Sequence, residues 1–254
     1  MSDYFRDRVV WITGASSGIG AACAEEFARR GAKVAISARD EKKLNALADK
    51  IGAAQCIAIP LDVTDRAANA HAVARIKAAW GRIDTAFLNA GTWQAMDLPN
   101  FDSASFKRTF DVNVLGIVHG IEAVLPELIA NRGHLVGMSS SVAYRGIPRA
   151  ESYCASKAAI RAMLQALRCQ LLQRHVAVSI VMPGFVKSPL TDKNDFPMPF
   201  LMEVDDAAKV IANGVAKKKS EIAFPFPFIA MMKLMSWLPD SVYTSIMSKK
   251  MARS

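Results

Sequence analysis

The sequence predicts an α/β protein: a single-domain, doubly wound parallel sheet of about seven strands with helices on both faces. Three observations carry this expectation. Short β-branched or apolar runs recur along the 254 residues, stretches rich in Ala, Leu, Lys, Arg and Glu separate them, and no Pro/Gly/Ser-rich linker divides the chain. Most of the apolar runs are unbroken rather than alternating, the pattern of strands covered on both faces. Strand, helix, strand in succession implies right-handed crossovers within one sheet.

The candidate strands are Val9 to Thr13, Lys33 to Ser37, Gln55 to Ile59, Ile83 to Leu88, His134 to Ser139, His175 to Met182 and Glu221 to Pro225. Good helix formers fill Ala21 to Arg30, Glu41 to Ile51, Arg66 to Trp80, Phe106 to Ala130 and Tyr153 to Arg174. Two regions break the alternation. Residues 184–204 place Pro189, Pro197 and Pro199 among Phe185, Phe196, Met198, Phe200 and Met202, too proline-rich for a plain helix and too apolar for a solvated loop, so they read as a lid over a substrate. The extension 226–254 is Met-rich up to Trp237, interrupted by Lys233 and closed by Pro239, too short and broken to span a bilayer.

With 52% hydrophobic residues the chain can bury a core without staples, which excludes fibrous and disordered classes. Lys and Arg number 32 against 23 acids, a net charge of +9 that suits an acidic partner. The densest basic runs, Lys217 to Lys219 and Lys249-Lys250, are short and form no stripe, so nucleic acid is not an expected partner. Cys23, Cys56, Cys154 and Cys169 are scattered and the four histidines lack zinc spacings, so reduced thiols and no metal site are expected. Met1 to Arg8 alternates in charge and has no signal-peptide core behind it, which points to a cytoplasmic protein.

Directly after the first strand stands Thr13-Gly14-Ala15-Ser16-Ser17-Gly18-Ile19-Gly20, leading into a helix. Glycines there let backbone N–H groups approach a pyrophosphate, and the helix N-terminus adds unpaired donors and partial positive charge. The spacing is Gly-x-x-x-Gly-x-Gly, and a purely structural tight turn is the competing reading. Past the second strand, Ala38-Arg39 leaves no carboxylate at the strand tip. A guanidinium there suits a 2′-phosphate, whereas an acid would hydrogen-bond a ribose hydroxyl. Arg39 also reads as the start of a solvated helix.

Tyr153 and Lys157 lie at i and i+4 on one helix face. A phenol titrates near 10, and a nearby ammonium favours phenolate. Tyr153 is therefore a candidate general acid for a carbonyl oxygen and general base for an alcohol. An exposed Tyr/Lys pair without chemistry is the plain alternative. The hydroxyl of Ser140, at the end of the fifth strand, is placed to hydrogen-bond an oxygen as charge develops.

In this order the motifs resemble those of the classical short-chain dehydrogenase/reductase family across residues 8 to 225, a Rossmann-type fold. The resemblance implies Asn113, Ser140, Tyr153 and Lys157 as catalytic residues, with Asn113 holding a water in a relay to the lysine. It implies cofactor contacts from Gly14, Ser16, Ser17, Gly18, Ile19, Gly20 and Arg39, from Asp62 and Val63 at the adenine, and from Asn89-Ala90-Gly91. Tyr153, Lys157, Pro183, Gly184, Val186 and Ser188 complete the nicotinamide side. NADP(H) is favoured, although Ser17 stands where NADP-preferring relatives often have a base, and NAD(H) stays open. A homodimer or homotetramer is implied through the helices carrying Asn113 and Tyr153.

Trp93, Gln94, Val142, Tyr144, Phe185 and Leu190 lie beside these motifs and suit a small hydrophobic carbonyl or alcohol substrate. Arg145 and Arg149 read either as anion receivers or as surface charge. The 226–254 extension packs on the core or on a second subunit, covers the cleft, or touches a membrane surface through Phe228, Trp237, Lys249, Lys250 and Arg253. Rival functions are a non-catalytic nucleotide-binding or redox-sensing module, and a lyase or epimerase on the same fold.

Overall fold

Seven strands pair in parallel in the order β3-β2-β1-β4-β5-β6-β7. They are β1 (Val9–Thr13), β2 (Lys33–Ala38), β3 (Cys56–Pro60), β4 (Thr85–Leu88), β5 (His134–Met138), β6 (Ala177–Pro183) and β7 (Glu221–Phe224). The chain winds outward from β1 to β3, then crosses back and winds the other way from β4 to β7. The reversal falls between β1 and β4, hydrogen-bonded neighbours that end level: Thr13 stands opposite Leu88, and on its other side opposite Ser37, one residue before the end of β2. The computed structural model describes residues 3–96, 98–192, 194 and 196–251.

Helices cover both faces. On one side α1 (Gly18–Arg29), α2 (Glu41–Ile51) and α7 (Val204–Ala216) set Phe27, Leu44 and Ile211 against Val10, Ile12 and Ile36. On the other, α3 (Arg66–Trp80), α5 (Gly116–Ala130) and α6 (Glu151–Leu172) set Ile76, Ile117 and Leu164 against Trp11, Leu88 and Leu135. Each such side chain contributes about 1.5–3 kcal/mol on burial. Because successive residues of β1 point into different cores, the strand reads as one apolar run instead of an alternating one.

Aspartates start several helices. Asp40 accepts from Lys43 N at 3.1 Å to cap α2, and Asp65 from Ala68 N at 3.0 Å to cap α3. Asp102 accepts from Ala104 N at 2.9 Å to cap α4 (Ser103–Phe110). At α1 the N-cap residue is Ser17, which makes no such side-chain bond, and no acid stands in the first turn.

The helix expected over 106–130 is three pieces, with a π-helical turn at Asp111–Leu115 between α4 and α5. The combined run 103–130 is long and apolar enough to cross a membrane, but Ile117, Ile121, Val124 and Leu128 pack it on the sheet. Residues 204–216, 226–236 and 240–251 are helical although the sequence marked no helix there. The latter two are α8 (Phe226–Ser236) and α9 (Asp240–Met251), and Pro227 falls in the first turn of α8, where its missing N–H costs nothing. The segment expected as a lid is pinned at its base: Lys187 N donates to Met202 O, and Met202 N to Phe185 O, both at 3.0 Å.

Candidate active site

The motifs gather where strands end, beside the reversal between β1 and β4. The glycine turn is held from β4. Asn89 Nδ2 donates to Thr13 O at 3.0 Å and to Gly14 O at 3.2 Å, while Thr13 Oγ1 accepts from Asn89 N and Ala90 N. Side chains at the glycines are excluded: a Cβ on Gly20 meets Gly14 O at 2.3 Å, and one on Gly14, whose φ is +69°, meets Ala90 Cα at 2.7 Å. Ser16, Ser17, Gly18 and Ile19 bridge this turn into α1, and Ser188 approaches from the far side, 3.2 Å from a Cβ placed on Gly18. The N-terminus of α1 thus opens onto a backbone cradle with its end donors uncapped by a side chain.

Arg39 is exposed at the tip of β2 and forms no hydrogen bond or ion pair with the described residues, while its neighbour Asp40 is spent capping α2. Asp62 accepts from Thr64 N and Thr64 Oγ1 at 2.9 and 2.8 Å. The backbone bond foremost, then the hydroxyl and the Arg39 charge, hold its carboxyl below the usual range against the opposing effect of burial. Val63 is buried, and its carbonyl accepts from Asn69 Nδ2 at 3.0 Å.

Across the reversal, Lys157 is 2% exposed and donates from Nζ to Met138 O at 3.0 Å, at the end of β5. Gly91 lets it approach: a Cβ there lies 3.4 Å from Lys157 Nζ and 3.3 Å from Asn113 Oδ1. Tyr153, half-buried one turn earlier, shares a hydrogen bond with the Ser140 hydroxyl. Burial pushes the Tyr153 phenol up to about 12, partly offset by that bond, and pushes the Lys157 ammonium down to about 7. The expected depression of the phenol by the ammonium does not appear: burial sets the direction, and the lowering contribution comes from Ser140. Of the neighbouring serines, Ser139 is committed to the α6 backbone, donating to Lys157 O at 2.8 Å, and Ser141 is buried.

Asn113 lies in the π-helical turn and is fully buried. Its Oδ1 accepts from Thr92 N at 2.7 Å, and its Nδ2 donates to Thr92 O and to Ser156 Oγ, both at 3.0 Å. Both ends of the amide are engaged by protein groups, which ties the residue after Gly91 to α6. Ser156 in turn donates to Tyr153 O at 2.7 Å. Thr92 and Ser156 are the positions the sequence reading missed, and Thr13 was read only as the start of the glycine turn, not as its brace. Of the two, Ser156, adjacent to Lys157, carried a local signal.

The expected substrate-lining residues divide. Gly184 N donates to Phe224 O at 2.7 Å just after Pro183, so β7 holds the turn that leads into Phe185 and buried Val186. Phe185 packs with Phe196 and with Phe228, at ring-centroid distances of 6.0 and 5.2 Å. Trp93 Nε1 reaches Asn194 Oδ1 at 3.2 Å, joining the β4 side to the 184–204 segment. Val142 and Leu190 are half-buried, and Gln94 is exposed.

Tyr144 is drawn elsewhere. Its hydroxyl donates to Glu221 Oε1 at 2.6 Å, and Arg161 and Lys233 stand 4.7 and 5.2 Å from its ring centre. Arg145 is likewise paired with Asp240 at 2.5 Å and stacked on Tyr243, so it is not an unclaimed anion receiver. Phe228 is buried against Phe185 and Gly184, which removes it from any surface role, and Arg253 lies outside the described residues.

Residues 8–197 match the family model described as short chain dehydrogenase. An uncharacterized oxidoreductase of Myxococcus xanthus is 36% identical over 239 residues, covering 93% of this chain and 94% of its own. The 11-beta-hydroxysteroid dehydrogenase 1A of Arabidopsis thaliana is 33% identical over 246 residues, 88% of this chain and 70% of that one. Among solved structures, a 3-ketoacyl-(acyl-carrier-protein) reductase from Brucella melitensis, complexed with NADH, superposes with a TM-score of 0.80 at 26% identity, covering 86% and 96% of the two chains. The protein belongs to the short-chain dehydrogenase/reductase family, a family of oxidoreductases.

Proposed function

We propose that the protein transfers hydride between NADP(H) and a hydrophobic carbonyl or alcohol substrate, with Tyr153 as its general acid and base. The observation that carries this reading is the Ser140–Tyr153–Lys157 arrangement, set at the strand ends beside an uncapped helix N-terminus. The residues suit a dinucleotide. The turn at Gly14, Gly18 and Gly20 packs too closely on Ala90, Gly14 O and Ser188 to admit a Cβ, no side chain caps the α1 N-terminus that follows it, and Asn89 braces it from the β4 side. Asp62, Val63, Ala90 and Gly91 are the further residues that would contact the nucleotide. Exposed Arg39 suits a 2′-phosphate and favours NADP(H) over NAD(H).

When bound, the nicotinamide supplies or accepts the hydride. Tyr153, a phenol protonated at neutral pH and held so further into the alkaline range by burial, gives its proton to the carbonyl oxygen. Ser140 hydrogen-bonds both that oxygen and the phenol, so the developing negative charge meets two donors already in place. Lys157, held by Met138 O and facing the Tyr153 ring, stabilises the phenolate left behind and re-protonates it. Asn113 holds Thr92, and with it Gly91, at the distance Lys157 needs. In the reverse direction Tyr153 takes the alcohol proton. Pro183, Gly184, Val186 and Ser188 line the nicotinamide side, and the 184–204 segment closes over substrate, with Phe185, Trp93, Val142 and Leu190 excluding water.

Fluorescence titration with NADPH and NADH, followed by turnover on a panel of hydrophobic ketones and aldehydes, tests the reading. Tyr153→Phe should bind NADPH as the wild type does and lose turnover by about 10²-fold or more. Absence of nucleotide binding at micromolar levels, or undiminished turnover in Tyr153→Phe, overturns it.

A further inference from the structure

Helix α8 is apolar nearly all the way round. Phe228, Ile229 and Met232 face inward and are buried. On the opposite side Phe226, Met231 and Leu234 are 82%, 38% and 64% exposed, and Trp237 just beyond is 85% exposed. A helix without a polar face belongs in a core or a lipid phase, and here only half of the circumference has protein to rest on. In α9 Val242 and Ile246, one turn apart, are exposed as well. Half of the large exposed apolar side chains among the described residues therefore fall between 226 and 246, a concentration that marks an interaction surface.

We infer that this face seats the protein on an anionic lipid surface, with α8 and α9 lying in the interface. At 11 residues, α8 is about 16 Å long, half the thickness of a bilayer core, so it can enter but not cross. An exposed tryptophan at its end is the side chain that settles best among headgroups. Charge selects the occupant. Residues 226–254 hold Lys233, Lys249, Lys250 and Arg253 against Asp240 alone. Within the fold Lys233 is paired with Glu221 and Asp240 with Arg145, each acid offset by a base. What remains is cationic: Lys249 is exposed one turn beyond Ile246, and the chain runs on through Lys250 and Arg253. A twofold contact would lay this cationic face on its own copy, in a chain of net charge +9, whereas acidic headgroups neutralise it.

The seat is fixed to the rest of the molecule. Arg145 pairs with Asp240 at 2.5 Å, and the Tyr243 hydroxyl donates to Gly146 O, so α9 grips the loop that follows Ser140. The inference stands whether or not Tyr153 transfers a proton.

Sedimentation of the full chain with phosphatidylcholine vesicles, with and without phosphatidylserine, tests it. The wild type should pellet with the phosphatidylserine vesicles, less so as salt is raised, and weakly with phosphatidylcholine alone. The exposed pair Phe226→Ser/Trp237→Ser, and separately Lys249→Glu/Lys250→Glu, should each weaken that binding by about tenfold or more. No pelleting with either vesicle, or equal pelleting of the wild type and both variants, overturns the proposal. So does a wild-type dimer in light scattering that becomes monomeric in Phe226→Ser/Trp237→Ser, because a second copy then covers the face.

Discussion

Lys157 Nζ stands 5.5 Å from the centre of the Tyr153 ring while donating its hydrogen bond to Met138 O, so the buried ammonium faces a π surface and a carbonyl rather than a carboxylate. Nothing of full negative charge repays its desolvation there, and its pKa falls to about 7.

The first prediction follows from that deficit. An unfolded lysine keeps its proton up to roughly pH 10.4. From about pH 7 up to that point, the unfolded chain binds more protons at this residue than the folded one does. Stability therefore rises with pH across the window, and the penalty of burying the charge is fully present below it. The urea midpoint of the wild type, relative to that of Lys157→Met, should climb between about pH 7 and pH 9.5, by an amount on the order of a few kcal/mol in ΔG. Tyr153 does not confuse the reading, because a raised phenol loses stability only above its unfolded value near 10. A midpoint difference that is flat with pH would show that Lys157 keeps its proton in the fold.

Arg39 supplies the second. With its side chain exposed and Asp40 spent on the α2 cap, it is available to a ligand phosphate. Charge-assisted hydrogen bonds of about 1.5–3 kcal/mol set the scale, so Arg39→Ala should weaken NADPH about 10- to 100-fold. NADH affinity should stay nearly unchanged, and the ratio of the two dissociation constants is the measurement. Equal losses for both nucleotides would place the 2′-phosphate elsewhere.

The third concerns the turn itself. In Gly20→Ala the new methyl would sit 2.3 Å from Gly14 O and 2.6 Å from Asn89 Nδ2, so the bonds from Asn89 to Thr13 and Gly14 must open. A destabilisation of about 1–3 kcal/mol by denaturant titration is expected, as for other overpacked sites. Nucleotide affinity should fall for NADPH and NADH alike, in contrast to Arg39→Ala.

How legible all this was depends on how local the cause is. The strands were readable because the inner ones bury both faces, and an unbroken run such as Val9-Val10-Trp11-Ile12 leaves few alternatives. Tyr153, Lys157 and the glycine turn were readable because their spacing is itself the geometry. The π-helical turn at Asp111–Leu115 was not, because nothing local marks it and the amide of its Asn113 is engaged by Thr92 and Ser156 from other elements. Tyr144 was read as a substrate contact because its partner Glu221 lies 77 residues away. Helix α8 was obscured by Pro225 and Pro227, residues that break a helix in its middle but begin one at its first turn.

The grip of α9 on the loop after Ser140 joins positions 95 and 97 residues apart. Loss of α9 would therefore release the loop after Ser140 from two restraints at once, while every strand of the sheet and the glycine turn precede it in the chain.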